Sequence, residues 1–231
     1  MKEIFESSDF GPAALSHDFI EIESGGRKYY GGSQNFYGTD REKRCGCGIT
    51  GAADVLMYLE AVENGNYTMP LDKFLRLSEE LRKKYIPIIP GRGVNAFLLA
   101  SGMNRYFRAK SMKYRAKWKC TSFNKWETAV KMLNNDIPVI VAIGNNFPFV
   151  WGKKALNLYV KDTINSGTEE IYKREQSVYG HFVVITAIKG NCLTISSWGR
   201  KYYINIDEFD RYVVKHSTHI YSNILVIKKN S

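Results

Sequence analysis

No stretch of this chain approaches the roughly 18 consecutive apolar residues that a membrane-spanning helix needs. The first residues, Met1-Lys2-Glu3-Ile4-Phe5-Glu6, carry acids and lack an apolar run. No secretory signal is legible there, and a cytoplasmic location is the expectation. Cysteine is scarce, with residues at 45, 47, 120 and 192 alone. Cys45 and Cys47 lie too close for an easy mutual disulfide, and with no export signal free thiols are expected. One C-x-C and two isolated cysteines also lack the paired C-x-x-C spacing of a strong zinc motif. Neither a metal nor a cofactor is therefore expected. Repeats and low-complexity tracts are missing as well.

What the chain has is apolar substance. It is 44% hydrophobic and 13% aromatic over 231 residues, enough to bury a sizeable core. The net charge is +10, and the excess is uneven. Arg105, Arg108, Lys110, Lys113, Arg115, Lys117 and Lys119 follow one another with no acid between them, interleaved with Tyr106, Phe107, Tyr114 and Trp118. Such a pattern can grip nucleic acid or an anionic surface. It is also what strand alternation produces, with Tyr114, Ala116 and Trp118 inward and the lysines and arginines toward water. The second reading is the one carried forward.

Helical spacing comes first along the chain. Cys47 to Glu63 predicts a helix closed by Asn64-Gly65-Asn66. Pro70 opens a second helix that stops at Pro87, a third covers about 93 to 106, and a fourth runs from 124 to 134. The period then becomes strand-like. Strands are expected at Pro138 to Ile143, His181 to Ile188, Cys192 to Ser196, Lys201 to Ile206 and Ile224 to Lys228. Turns are expected at Lys189-Gly190-Asn191 and Trp198-Gly199-Arg200, and a short helix or turn at Asp207 to Val213. Residues 144 to 178 read as the least regular part, with a surface loop beside the site. Helices before an antiparallel sheet imply an α+β fold.

Two residues carry a chemical suggestion. Cys47 stands at the head of its helix, in Cys45-Gly46-Cys47-Gly48-Ile49-Thr50-Gly51-Ala52-Ala53. Unpaired N–H groups and the helix dipole favour a thiolate there, and the nearby Arg41, Lys43 and Arg44 point the same way. Far downstream, His181 opens an apolar strand in Gly180-His181-Phe182-Val183-Val184-Ile185. A thiol on a helix start and an imidazole on a strand start form the skeleton of nucleophilic cysteine catalysis.

The order Gln, Cys, His and then a polar residue resembles the papain-like superfamily of cysteine peptidases, and the C39-like peptidases in particular. Gly31-Gly32-Ser33-Gln34-Asn35 resembles the segment with the oxyanion-hole Gln. Gly46-Cys47-Gly48, followed by small residues and Tyr58-Leu59, resembles the nucleophile helix. Gly180-His181 resembles the catalytic His strand, and Ile195-Ser196-Ser197-Trp198-Gly199 with Tyr202-Tyr203-Ile204 and Asp207-Glu208-Phe209 resembles the surroundings of the third member. These segments cover about a third of the chain. Residues 64 to 136 match nothing beyond being helical.

The resemblance implies a papain-like α+β domain over 1–231. A helical half, about 34–136, would pack its nucleophile helix on an antiparallel sheet half, about 137–231. It implies Cys47 as nucleophile, His181 as its base, Gln34 as an oxyanion donor, and a peptide or protein substrate. Cys45 is the competing thiol, placed two residues before the helix. The third member departs from the pattern. Ser196 stands where the family has Asp or Asn, and a hydroxyl can orient an imidazole but brings no charge. Asp207 from the next turn and Asp54 on the Cys47 helix are the other candidates for a partner. The expected function is a cysteine peptidase-like hydrolase working through a Cys thioester, with acyl transfer as a variant. The rivals are a catalytically silent papain-like binding fold, which Ser196 supports, and a nucleic-acid-binding module built on 105 to 119.

Overall fold

The computed structural model describes residues 11–89, 93–121, 123–144, 154–162 and 170–230, and of residues 2–3 the backbone alone. Along the chain come β1 (Lys2–Glu3), β2 (Ala13–Ala14), β3 (Glu21–Ser24), β4 (Arg27–Tyr30), a 3-10 turn (Gln34–Phe36), α1 (Asp40–Cys45) and α2 (Cys47–Asn64). Then follow β5 (Thr68–Pro70), α3 (Leu71–Glu80) with a π turn (Leu81–Tyr85), α4 (Ala96–Ala109), β6 (Tyr114–Trp118), α5 (Lys125–Asn134) and β7 (Val139–Ile143). The rest is β8 (Leu156–Lys161), β9 (Tyr172–Val178), β10 (His181–Lys189), β11 (Cys192–Ser197), β12 (Arg200–Asn205), α6 (Ile206–His216) and β13 (Ile224–Lys229).

Among the described residues the main sheet runs β1-β9-β8-β12-β11-β10-β7-β13-β6, with every neighbour antiparallel and β2 paired to β10. A small second sheet joins β4, β3 and β5. The architecture is α+β. β7 is buried along its whole length, as its unbroken Val-Ile-Val-Ala-Ile run requires. No helix among the described residues is long and apolar enough to cross a membrane.

α2 is buried from Cys47 to Leu59, so it is a central helix rather than an amphipathic surface one. Small residues make that possible. A Cβ on Gly51 would sit 3.6 Å from Val184 of β10, and one on Gly48 would meet Val94 at 2.9 Å. The helix therefore lies close against the sheet on one side and against the segment before α4 on another. Gly65, at φ 70°, ends it in the left-handed conformation as Asn64-Gly65-Asn66 predicts.

Residues 144 to 178 contain more order than their sequence suggests. β8 and β9 pair there from Leu156↔Val178 to Lys161↔Tyr172. β9 reads Tyr-Lys-Arg-Glu-Gln-Ser-Val and is buried only at its two ends, so it offers no alternation to read. The expected surface loop beside the site falls partly on 145–153 and 163–169, outside the described residues. The basic stretch behaves as alternation predicts. In β6, Ala116 and Trp118 are buried while Arg115 and Lys117 are exposed.

Candidate active site

Gly46 separates α1 from α2, so Cys45 ends the first helix and Cys47 is the first residue of the second. The first N–H groups of a helix have no intrahelical acceptor, and they surround the Cys47 position. The backbone N–H groups of Phe182 in β10 and of Gly48 in α2 act on the sulfur. Cys47 is 8% exposed and His181, the first residue of β10, is 7% exposed. Both line one cavity, with Gln34, Asp54, Ser196, Ser197 and Trp198 also on its wall. Its free space is ≈ 10 Å³, about what one water needs.

His181 Nε2 is hydrogen-bonded to Ser197 Oγ at 2.8 Å. Its Nδ1 has no hydrogen-bond partner among the described residues. With the proton on Nε2, the imidazole donates to Ser197 and leaves Nδ1 as the base. The Trp198 ring stacks on the imidazole, 4.4 Å between centroids and 15° between planes. Trp198 and Gly199 form the two-residue turn between β11 and β12 with φ of 50° and 72°. Positive φ is costly for a bulky residue, and here it accompanies the stacking of the indole on the imidazole.

The orienting hydroxyl is therefore that of Ser197, where Ser196 was expected. The cause is a β-bulge. Between β10 and β11 the register runs Lys189↔Cys192, Ile188↔Leu193 and Ala187↔Thr194, then jumps to Ile185↔Ile195 and Val184↔Ser196. Thr186 is the extra residue. Without it Ser196 would stand opposite Ile185 and share the face of His181; with it, every later side chain of β11 changes face. Ser196 turns toward α2 and donates its hydroxyl to the Tyr30 carbonyl at 2.8 Å. Neither carboxylate candidate reaches the imidazole. Asp207 accepts from Asn191 Nδ2 at 2.6 Å, and Asp54 accepts the Gly32 N–H at 2.7 Å.

Gln34 opens the 3-10 turn, and its Nε2 donates to the Lys43 carbonyl at 2.6 Å. An amide nitrogen carries two protons, so one remains for the cavity. The Gln34 loop is laced to the β11–β12 turn, since Gly199 N–H donates to Gly32 O and Tyr30 N–H to Gly199 O, both at 2.9 Å. No family model and no curated protein matches the sequence.

The electrostatics differ from those a helix start alone would give. Burial raises the Cys47 thiol above its ordinary value, and the Phe182 and Gly48 amides only partly offset this. Burial lowers His181 to about 4. No carboxylate hydrogen-bonds the imidazole, and the cationic side chains of α1 do not rank among the influences on the thiol. At neutral pH the pair is thiol and neutral imidazole, not thiolate and imidazolium. Cys45 adds to the rise, which places it near the sulfur without making it part of α2. The sequence reading missed Ser197 and the stacking role of Trp198, although both lie in the segment it singled out.

Proposed function

We propose that this chain is a cysteine peptidase-like hydrolase of the papain-like, C39-like kind, cleaving peptide or amide bonds through a Cys47 thioester. The single observation that supports this best is the grouping of Cys47, His181 and Gln34 on one cavity, with Ser197 bonded to Nε2 of the imidazole. The resting pair is neutral, so proton transfer accompanies attack. The Cys47 sulfur bonds to the substrate carbonyl carbon while its proton passes to His181 Nδ1. The oxyanion receives the free Gln34 N–H and the helix-start N–H of Cys47, each donor typically worth about 3 kcal/mol. Collapse breaks the C–N bond, and His181 returns its proton to the leaving amine. Water then attacks the thioester, with His181 as base, and releases the acid and the thiol. A substrate carbonyl needs more room than one water, so a rim group such as the half-buried Trp198 has to shift on binding.

Incubation with a pool of peptides in ¹⁸O water tests the reading. New carboxyl termini carrying ¹⁸O are expected from the wild type and not from Cys47→Ala or His181→Ala. Products joined to an added amine without ¹⁸O identify an acyltransferase. Full cleavage by Cys47→Ala removes the nucleophile assignment. A folded protein that binds peptides but never cleaves them supports the silent papain-like reading, which the raised thiol and depressed imidazole favour.

A further inference from the structure

Asp54 lies two turns along α2 from Cys47 and is 1% exposed. It shares the cavity with Cys47, His181 and Gln34, and no lysine or arginine among the described residues lines that space. One carboxyl oxygen, Oδ1, accepts the Gly32 N–H at 2.7 Å. The Ser196 hydroxyl stands beside the second carboxyl oxygen, Oδ2, and acts on it. A Cβ on Gly31 would fall 2.4 Å from Ser196 Oγ and 2.7 Å from Asp54 Oδ2, so both oxygens crowd one backbone atom, and only glycine fits there.

The hydroxyl of Ser196 is already committed, because it donates to the Tyr30 carbonyl at 2.8 Å. A hydroxyl has one proton to give and lone pairs to accept with. The remaining bond must run from the acid to the serine. We propose that Asp54 is a neutral carboxylic acid that clamps the Gln34 loop to the nucleophile helix, a positioning residue for the oxyanion donor. The relay runs from Asp54 O–H to Ser196 Oγ and from Ser196 O–H to Tyr30 C=O, while Gly32 N–H closes it on Asp54 Oδ1. Both ends of the Tyr30–Gly32 segment are thereby fixed, and Gln34 follows two residues later. The consequence for turnover rests on the peptidase reading of Cys47 and Gln34; the protonation of Asp54 does not.

With no cation to pair with, the buried carboxyl rises to about 8. The titratable groups facing it are Cys47 on its own helix, His181 on β10, Tyr30 on β4 and Tyr37 after the 3-10 turn. His181 titrates at about 4 and Tyr30 at about 12, while Cys47 and Tyr37 are raised above their ordinary values. Asp54 is the member of this set that changes charge near pH 8. On ionisation Ser196 has one proton for two acceptors, the carboxylate and the Tyr30 carbonyl. The loop loses a tie and the oxyanion donor moves. A shift on the order of 1 Å costs about 10²-fold in rate.

The test uses the full chain as wild type, Asp54→Asn and Asp54→Ala. An asparagine keeps both bonds, donating from Nδ2 to Ser196 and accepting at Oδ1, but it cannot ionise. Carboxyl ¹³C titration of the wild type is expected to show one aspartate with a midpoint near 8 that Asp54→Asn lacks; an ordinary midpoint for every aspartate overturns the neutral acid. Urea unfolding is expected to show Asp54→Asn gaining on the wild type as pH rises from 6 to 8; a gap independent of pH overturns it too. Peptide turnover is expected to fall above pH 8 in the wild type but not in Asp54→Asn, with Asp54→Ala low throughout. A neutral acid together with an unchanged alkaline fall in Asp54→Asn overturns the positioning role. If no form cleaves peptide, the peptidase reading fails and the positioning role falls with it, while the titration and unfolding still decide the protonation.

Discussion

Accepting from His181 Nε2–H is a task for one hydroxyl, and Ser197 performs it without charge. In the proposed mechanism an imidazolium then has no carboxylate bonded to it, and burial holds His181 at about 4. Ser197→Ala is expected to lower kcat by roughly fivefold, the scale of one neutral hydrogen bond near 1 kcal/mol. Ser197→Asp supplies a charge and is expected to move the acid limb of the rate profile upward in pH. Ser196→Ala should behave differently. It leaves the Tyr30 carbonyl and the Asp54 carboxyl short of partners, so a loss of about 1–3 kcal/mol in urea unfolding is expected. Thiol reactivity follows burial rather than helix position. The helix start and the α1 cations predict fast alkylation of Cys47, but its thiol is raised and enclosed while Cys120 is exposed. Limited iodoacetamide treatment followed by peptide mapping is expected to find Cys120 modified first.

At the scale of elements, α2 could be read from sequence to within a residue at each end, because its small-residue run and its Asn-Gly-Asn stop are local signals. β10, β11, β12 and the two turns joining them were equally legible, since Gly190 and Gly199 mark them. The choice between Ser196 and Ser197 was not. It depends on one extra residue at Thr186, and a bulge leaves no composition signal while reversing every face beyond it. β9 escaped for a related reason, as a strand buried only at its ends shows no period. The close approach of α2 gives its own prediction. Gly48→Ala brings a Cβ to 2.9 Å from that of Val94 and is expected to cost about 1–3 kcal/mol by overpacking. Gly51→Ala meets Val184 at 3.6 Å, an ordinary contact, and is expected to be neutral or to gain up to about 1 kcal/mol from helix propensity. Thermal unfolding of both variants checks the contrast.

For the whole molecule, the site leaves a signature in stability against pH. His181 falls from 6.5 to about 4 on folding, so its contribution is complete above 6.5 and is lost as pH drops toward 4. Asp54 rises from 3.8 to about 8, so its contribution is complete below 3.8 and is lost as pH climbs to 8. The two slopes oppose one another between 4 and 6.5, and Asp54 alone acts from 6.5 to 8. Over that upper window the site is expected to cost about 2 kcal/mol, a fall that urea unfolding of the wild type shows and Asp54→Asn does not. The central claim, that Cys47 attacks with His181 as its base, meets its most direct test in covalent trapping. A peptidyl vinyl sulfone reacts with a cysteine that has an oriented imidazole to protonate the adduct, even where a simple alkylating agent is slow. Intact mass and peptide mapping are expected to find one adduct, on Cys47, absent from His181→Ala. An adduct on Cys45 or Cys120 instead, or equal labelling of Cys47 without His181, would contradict the account.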